Sequence, residues 1–167
     1  KIHKELKLKL KNLITILIPR HVDRSQSIIN ELENIDLKTI TKSSKKKISK
    51  NTDIYVVDTY GEATKFYELS KVTFLGGSII KHGGQNPLEP ARLGNYILHG
   101  PNIQNFKEVY KMLSKLNIST KVNNINNMKK IIDRKIEYKQ NSKIIKKLNL
   151  IGINIHKKNL IELNKFI

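Results

Sequence analysis

The sequence predicts an α/β fold with a doubly wound parallel sheet and additional helices at its C-terminal end. Short apolar runs alternate with segments of helical length, which is typical of parallel strands covered by helices on both faces. The chain has 167 residues, no internal repeat and no proline- or glycine-rich linker, so we expect residues 1–167 to form one domain.

Apolar runs rich in β-branched residues predict the strands. The run LITILI ends at Pro19, and IYVV is bounded by polar residues on both sides. A weaker strand is expected at the start of the polar stretch 39–51. The predicted strands are residues 13–18, 37–41, 54–57, 72–75 and 96–98.

Helical spacing of apolar residues predicts the segments between the strands. Asp23 or Ser25 is the expected cap of the second helix, and Phe66 and Leu69 are expected to face the core from the third. The predicted helices are residues 4–11, 25–32, 59–70, 87–93 and 105–116.

Beyond about residue 124 the pattern changes to long lysine-rich helices, predicted at residues 128–148 and 157–167. An asparagine cluster at residues 123–127 precedes them. We interpret this cluster as a polar turn before a helix, with a hinge as the alternative.

The charge is strongly basic, with 32 lysines and arginines against 14 acidic residues and a formal net charge of +18. Such a chain attracts polyanions: nucleic acid, acidic lipid headgroups or phosphorylated substrates. Arginine is scarce and the ten aromatic residues do not alternate with basic ones, so nucleic acid is not the expected partner. A solvated lysine-rich surface, or contact with an anionic membrane or substrate, explains the charge better.

Several classes of site are excluded or not expected. The chain has no cysteine, which rules out disulfides and thiolate metal sites, and its five histidines lack the spacing of metal ligands. We therefore predict no metal and no cofactor. No apolar run approaches the roughly 20 residues of a membrane-spanning helix.

Polar residues and glycines follow several predicted strands, where ligands bind in doubly wound sheets. Glycines let a ligand approach the backbone, and a helix N-terminus behind them favours an anion. The candidate residues are Pro19, Arg20 and His21 after the first strand, Asp58, Thr59, Tyr60, Gly61 and Glu62 after the third, Gly76, Gly77 and Ser78 after the fourth, and Gly83, Gly84 and Asn86 before the next helix.

Structural explanations compete with a binding role at some of these positions. Thr59 with Glu62 fits a capping box, as does Asn86 with Glu89, where Pro87 would be the first helical residue. Arg20 fits either a surface ion pair or a phosphate contact.

Three blocks of the sequence resemble a known family. HGGQNPLEP, preceded by GGS and followed by LGNYILHGPNIQNF, is similar to the C-terminal half of 3-deoxy-D-manno-octulosonic acid (Kdo) transferases. IPRHVDR and VVDTYGE resemble two further blocks of that family, in the same order. The resemblance covers residues 14–110.

The resemblance implies the C-terminal, donor-binding half of a GT-B glycosyltransferase, which has two Rossmann-like domains. The implied donor is CMP-Kdo and the implied acceptor is a lipid A precursor, in lipopolysaccharide core biosynthesis. The implied place is the cytoplasmic face of the bacterial inner membrane, with peripheral contact to an anionic membrane surface.

The resemblance also implies which residues bind CMP and where the chemistry is done. The implied contacts are Pro19, Arg20, Tyr60, Gly61, Glu62, Asn86, Pro87, Leu88 and Glu89, with Gly76, Gly77, Ser78, Gly83 and Gly84 in support. The family's catalytic base lies in the N-terminal domain, so no catalytic residue is expected in this chain. We expect that domain, and the first strand of the C-terminal one, to be absent here, and we expect this fragment to be inactive without an N-terminal domain or chain.

Two alternatives remain open at this point. The chain could be a non-catalytic or split fragment of such an enzyme, or a basic α/β domain that binds nucleic acid.

Overall fold

The computed structural model describes residues 1–163, with the exception of the side chains of residues 154–160, 162 and 163. The chain divides into two compact units, Lys1–Phe66 and Tyr67–Ile167, and each contains one three-stranded parallel sheet. The prediction that residues 1–167 form a single domain stays a prediction.

The first unit is organised around the middle strand of its sheet. Its elements are α1 (Ile2–Lys7), β1 (Thr15–Leu17), a 3-10 helix (Val22–Arg24), α2 (Ser25–Glu33), β2 (Thr39–Thr41), β3 (Ile54–Val56) and the start of α3 (Ala63–Leu69). Both β1 and β2 pair with β3 in parallel. Ile54 and Val56 point to one face of β3 and pack with Ile29 of α2 and with Leu37. Tyr55 points to the other face, where its ring lies 5.8 Å from that of Phe66.

Polar contacts at the amino edge of this sheet hold α1 in place. Lys7 contacts the Asp53 carboxylate, which also accepts a hydrogen bond of 2.8 Å from the Lys38 backbone N–H. His3 lies 2.9 Å from the Thr15 hydroxyl through its Nδ1 atom. Burial alone would raise the pKa of Asp53, but the hydrogen bonds from Lys7 and Lys38 hold that pKa below its usual value.

The second unit has its core on both faces of β5. Its elements are β4 (Val72–Leu75), a 3-10 helix (Gly76–Ser78), α4 (Leu88–Arg92), β5 (Tyr96–His99), a 3-10 helix (Gln104–Phe106), α5 (Lys107–Lys115), β6 (Ser119–Lys121), α6 (Ile125–Lys135) and α7 (Ser142–Leu163). All four residues of β5, which lies between β4 and β6, are buried. Because side chains alternate along a strand, Ile97 packs with Tyr110 and Leu113 on one face, while Tyr96 and Leu98 pack with Val122 on the other.

The C-terminal helix of this unit packs on the short helix α4. Leu148 of α7 is fully buried in the same cluster as Ala91 of α4. Beside them, Arg92 Nε donates a 2.8 Å hydrogen bond to Asn149 Oδ1. The predicted C-terminal helices are therefore part of the second unit's core. Within the described residues, no helix combines the length and apolar character needed to cross a membrane.

The α/β class with parallel strands is confirmed, and each of the five predicted strands is present: three are shorter than predicted, β4 is as predicted and β5 is one residue longer. The strand β6 was not predicted, because its sequence is Ser-Thr-Lys. It is stabilised by its position in the fold: Ser119 is buried, and the Thr120 hydroxyl lies 2.6 Å from the Tyr96 hydroxyl. Pairing with β5 outweighs the weak propensity of these three residues.

Several helix predictions need correction. The first helix, predicted at residues 4–11, is found at Ile2–Lys7, and the N-cap of α2 is Arg24 instead of Asp23 or Ser25. The helix predicted at residues 128–148 breaks between α6 and α7, where Tyr138 turns inward and its ring packs edge-on at 5.1 Å from that of Tyr96. The helix predicted at residues 157–167 is instead the continuation of α7 as far as residue 163, and residues 164–167 lie outside the described residues. The third helix begins at Ala63, and Leu69, predicted to face the core, is 74% exposed.

The asparagine cluster forms the polar turn that we favoured. Asn124 is the N-cap of α6, and its side chain accepts a hydrogen bond of 2.8 Å from the Asn127 backbone N–H. This bond satisfies one of the free N–H groups of the first helical turn.

Replacing Ile97 by alanine tests whether β5 is the centre of the second unit. We expect a loss of about 2–5 kcal/mol in the free energy of unfolding, because the change leaves a cavity between packed elements. Urea denaturation followed by circular dichroism measures it. The matched control is Ile80→Ala: Ile80 is 54% exposed, and we expect a change within about 0.5 kcal/mol there. Equal losses in the two variants would contradict this description of the core.

Candidate functional site

The carboxyl ends of β1 and β3 lie side by side in the first unit. Leu17 is in register with Val56, and the Val57 N–H donates a 2.9 Å hydrogen bond to the Leu17 carbonyl. The segments that follow, with Pro19 and Arg20 on one side and residues 58–62 on the other, therefore leave the sheet at the same edge. The candidate residues of this unit therefore follow strand ends at one edge of the sheet, and their role as one binding site stays a prediction.

Arg20 is an exposed cation at this edge. Its guanidinium makes no hydrogen bond or ion pair within the part of the chain that the structure describes, so the surface ion pair considered from the sequence is not observed. Pro19, the residue before it, is half-buried. A planar guanidinium in this position is suited to a phosphate or carboxylate ligand.

Glu62 is held as a carboxylate by three donors. Lys42 contacts Oε2, the Thr59 hydroxyl donates to the same oxygen at 2.6 Å, and Lys65 Nζ lies 3.3 Å from Oε1. The hydrogen bond from Lys42, followed by that from Thr59, lowers the pKa of Glu62 to about 2. The predicted capping box is not formed in the expected way, since Thr59 bonds to the Glu62 side chain and α3 begins after it, at Ala63.

Between these residues the backbone is open. Gly61 has a φ of +77°, and a Cβ atom built on it would meet nothing within 4 Å. Its neighbour Tyr60 has 75% of its surface exposed. The left-handed conformation, rather than a lack of space, accounts for a glycine here. The open side gives a ligand access to the backbone between Tyr60 and Glu62.

Two residues of this edge were missed by sequence reasoning. Lys42 and Ser43 follow β2, and Ser43 donates to the Asp58 carboxylate through both its hydroxyl and its backbone N–H, the latter at 2.9 Å. Burial tends to raise the pKa of Asp58, but the hydrogen bonds from Ser43 bring it below its usual value. The sequence signal was their position directly after a predicted strand, which becomes informative once β2 is known to pair in parallel with β3.

In the second unit, Ser78 joins the ends of β4 and β5. The serine is fully buried, its hydroxyl donates to the Leu75 carbonyl, and the same oxygen accepts a 2.6 Å hydrogen bond from the Gly100 N–H. A Cβ atom on Gly100 would lie 2.4 Å from the Ser78 carbonyl oxygen. Ser78 therefore has a structural role at this edge.

The four candidate glycines of this unit differ in what surrounds them. A Cβ atom on Gly76 would meet nothing within 4 Å, and one on Gly77 would lie 3.2 Å from Gln85 Cγ. Gly83 and Gly84 have φ angles of +79° and +84°. Cβ atoms built on them would lie 2.5 Å from Asn105 Nδ2 and 3.1 Å from the Asn102 carbonyl oxygen, respectively. This pair is therefore required by the close approach of another part of the chain, and only Gly76 offers open backbone.

The segment Asn86–Glu89 divides into buried and exposed positions. Pro87 is buried and Leu88 packs against the main core cluster, so their side chains face inward. Asn86 and Glu89 are exposed. Asn86 Oδ1 accepts a 3.0 Å hydrogen bond from the Leu88 N–H, so the Asn86 side chain caps the first residue of α4. This helix begins at Leu88, one residue later than predicted.

A buried histidine, His99, packs against the tyrosine that holds the backbone before Asn86. His99 packs its ring 4.3 Å from that of Tyr110, and the Tyr110 hydroxyl donates a 3.0 Å hydrogen bond to the Gln85 carbonyl. Burial lowers the pKa of His99 and raises that of Tyr110. Both side chains are thus neutral packing groups that fix the backbone before Asn86. Across the described residues, no group of three His, Asp or Glu side chains is arranged to hold a metal ion.

Comparisons with known proteins agree with the family resemblance that the sequence blocks show. No family model matches the chain. It is 33% identical to the 3-deoxy-D-manno-octulosonic acid transferase of Haemophilus influenzae over 143 residues, which cover 86% of this chain and 33% of that protein. It is 37% identical to the transferase of the same name from Rickettsia prowazekii over 109 residues, or 65% of this chain and 23% of that protein.

A solved structure gives the same result. The C-terminal CMP-Kdo binding domain of WaaA from Acinetobacter baumannii matches with a TM-score of 0.71 and 28% identity, over 79% of this chain and 67% of that one. This chain belongs to the Kdo transferase family. It spans about a third of the length of the Haemophilus relative, and its part of the Kdo transferase fold corresponds to the C-terminal domain.

Within the Kdo transferase fold, the candidate residues fall in both units. Pro19, Arg20 and residues 60–62 lie together in the first unit, and residues 76–78 and 83–89 lie in the second. Their convergence on one ligand stays a prediction.

Replacing Gly100 by alanine tests the joint between β4 and β5. The added methyl group would collide with the Ser78 backbone, and we expect a loss of about 1–3 kcal/mol in the free energy of unfolding. Gly76→Ala is the matched control, because the space around Gly76 is open, and a change within about 0.5 kcal/mol is expected. Denaturation of both variants in urea gives the comparison, and a stable Gly100→Ala protein would show that the two strand ends are not locked together.

The low pKa of Glu62 predicts a pH dependence of stability. A carboxyl with a folded pKa of about 2 stabilises the fold above its unfolded pKa of about 4.3. That contribution is lost as the pH falls from there through the folded pKa. We expect Glu62→Gln to lower the melting temperature at neutral pH and the difference from the native chain to vanish as the pH approaches about 2.

The matched control for this experiment is Glu33→Gln. Glu33 lies on the exposed surface of α2 and has no ion pair among the described residues. Melting temperatures are compared for the three proteins across the acid range. A Glu62→Gln variant that follows the native curve at every pH would mean that the contacts with Lys42 and Thr59 do not stabilise the carboxylate.

Proposed function

We propose that this chain is the donor-binding part of a CMP-Kdo-dependent glycosyltransferase that transfers Kdo to a lipid A precursor in lipopolysaccharide core biosynthesis. Membership of the Kdo transferase family supports the reaction class. The likeness to the CMP-Kdo binding domain of WaaA supports the donor. The acceptor follows from the family alone and is the finer part of the proposal.

The observation that carries the proposal is the exposed Arg20 guanidinium at the sheet edge from which the segment with the open backbone of Gly61 also leaves. Arg20 has no partner within the described part of the chain, and Gly61 leaves a side of the backbone accessible. In our proposal Pro19 and Arg20 contact the CMP phosphate, and Tyr60, Gly61 and Glu62 contact the rest of CMP. Because Glu62 is ionised, its carboxylate accepts hydrogen bonds from ligand hydroxyl or amino groups.

The second unit supplies the remaining proposed contacts. Asn86 and Glu89 are exposed and offer side chains, with Glu89 accepting hydrogen bonds from ribose hydroxyls. Pro87 and Leu88 point into the core, so they contribute backbone only. Gly76 gives backbone access, while Gly77, Ser78, Gly83 and Gly84 shape the loops around these residues.

The chemistry follows from the charges. In the transfer, the acceptor hydroxyl oxygen bonds to the anomeric carbon of Kdo as the bond from that carbon to the CMP phosphate oxygen breaks. Negative charge develops on the departing phosphate, and Arg20 stabilises it without a metal. A base must remove the acceptor proton. We assign no base to this chain and place it in an N-terminal domain or chain, which acts with this one at an anionic membrane surface on the cytoplasmic face of the inner membrane.

Titration calorimetry with CMP tests the donor site. We expect saturable binding to the chain and a loss of tenfold or more in Arg20→Ala, because a charge-assisted contact to phosphate is worth about 1.5–3 kcal/mol. Glu89→Ala is expected to lose a smaller factor, of about fivefold, through its hydrogen bonds to ribose.

Matched controls are Arg24→Ala and Glu108→Ala. Arg24 has the charge of Arg20 and lies in the 3-10 helix before α2, and Glu108 has the charge of Glu89 and lies in α5. Both residues are exposed and lie outside the proposed site. They should bind CMP as the native chain does. A folded native chain that does not bind CMP, or equal losses in the controls, would contradict the proposed site.

A further inference from the structure

A basic loop connects β2 and β3 in the first unit. We call residues 42–52 (KSSKKKISKNT) the lysine loop, since five of its eleven residues are lysine. It leaves the sheet at the carboxyl end of β2, the edge that also carries Asp58 and Glu62. No lysine of the loop is among the contacts proposed for CMP, although Lys42 is paired with Glu62, which is one of them.

Hydrogen-bonded turns give the lysine loop a defined shape. At its start, the Ser44 hydroxyl donates to the Thr41 carbonyl at 2.7 Å, and the Lys45 N–H donates to the Lys42 carbonyl at 3.2 Å. At its end, the Thr52 N–H donates to the Ser49 carbonyl at 3.0 Å, and Thr52 is buried. The stretch between these turns, residues 46–48, is presented by two fixed ends.

The charge of the lysine loop is not neutralised within the described protein. Lys42 is paired with Glu62, but the other four lysines are exposed and have no ion pair or hydrogen bond from their ammonium groups among the described residues. These four are Lys45, Lys46, Lys47 and Lys50. Ile48 lies among them with 51% of its surface exposed. Four cations around one exposed apolar side chain is a pattern suited to an anionic interface with an apolar interior.

We propose that the lysine loop docks on the surface of an anionic lipid bilayer, with its lysines at the headgroups and Ile48 in the interfacial layer. Charge complementarity selects an anionic surface. The loop has no arginine and no aromatic residue, so it lacks the groups that stack on bases or bind them in a bidentate way. This inference rests on the proposed function for its setting, because a transferase that modifies a lipid acts at a bilayer, but the binding itself is measured without donor or acceptor.

Docking there orients the first unit at the bilayer. Lys42 and Ser43 tie the start of the loop to Glu62 and Asp58 at the end of β3. The other end of the loop lies at the amino edge of the sheet, where the Thr52 carbonyl accepts a 3.1 Å hydrogen bond from Lys7. A bilayer that holds the loop therefore also fixes the orientation of the sheet that carries Arg20 and Gly61. The loop acts here as a positioning element and takes no part in the reaction.

Sedimentation with lipid vesicles tests the proposal. The vesicles contain either phosphatidylcholine alone or phosphatidylcholine mixed with phosphatidylglycerol. We expect binding to the mixed vesicles only, and a loss on the order of a hundredfold in partition coefficient for the triple variant Lys45→Gln, Lys46→Gln, Lys47→Gln, at about fivefold per lysine near the surface. Ile48→Ser should lose several-fold, and this loss should persist at high salt, where the contribution of the lysines is screened.

The matched control is the triple variant Lys143→Gln, Lys146→Gln, Lys147→Gln, which removes the same charge from exposed positions of α7. We expect it to bind the mixed vesicles nearly as the native chain does. Equal losses in the two triple variants would overturn the proposal in favour of a diffuse charge effect. No binding of the native chain to the mixed vesicles would also overturn it, as would loop-dependent binding to a single-stranded oligonucleotide in their place.

Calorimetry with CMP separates this proposal from the donor site. The triple variant of the lysine loop should bind CMP with native affinity, since none of its three residues is among the proposed CMP contacts. Vesicle binding that fails while CMP binding persists overturns the docking surface alone. Loss of CMP binding in the loop variant would mean that its lysines belong to the donor site, which would equally overturn a separate docking role.

Discussion

Parallel strand pairing is the constraint on which the rest of the molecule depends. In the first unit, β1 and β2 both pair with β3, so the segments that follow all three strands leave the sheet at one edge. That single fact places Arg20, Lys42 and Glu62 near one another, although 42 residues separate the first from the last in the sequence. In the second unit β5 has the same role, and the joint between Ser78 and Gly100 aligns the ends of β4 and β5.

The charges at the edge of the first sheet are arranged in two ways. Lys42 is neutralised by Glu62, which keeps the carboxylate ionised and fixes the backbone around Gly61. Arg20 and the outer residues of the lysine loop have no such partner within the described chain. A protein with a net charge of +18 thus has a few cations that build its structure and others that remain available to anions. The proposed donor site uses Arg20, and the proposed docking surface uses the unpaired lysines of the lysine loop.

Much of the fold could be predicted from local pattern. Runs such as LITILI and IYVV are strands because β-branched side chains pack well on both faces of a buried sheet. The strand β6 could not be predicted, because Ser119 and Thr120 gain their partners only from β5. The break before α7 was also missed. It lies where Tyr138 packs against Tyr96, a tertiary contact that the local pattern does not show.

The candidate site was predictable in position but less so in detail. Strand ends identified Arg20 and Glu62, whereas the ion pair from Lys42 required the order of strands in the sheet. The glycines misled in part: Gly83 and Gly84 are needed for close approach to residues 102–105, and Gly61 and Gly76 are the open ones. A sequence shows where glycine is used, but whether a ligand or another part of the chain fills the space depends on the tertiary fold.

The donor site that we propose depends most directly on the carboxyl edge of the first sheet. The most direct measurement is the change in backbone amide NMR shifts when CMP is added to the chain. We expect saturable shifts of the amides of Arg20, Gly61 and Glu62, which follow β1 and β3 at this edge. No shifts at these residues, or shifts centred away from the carboxyl ends of the strands, would contradict the proposal.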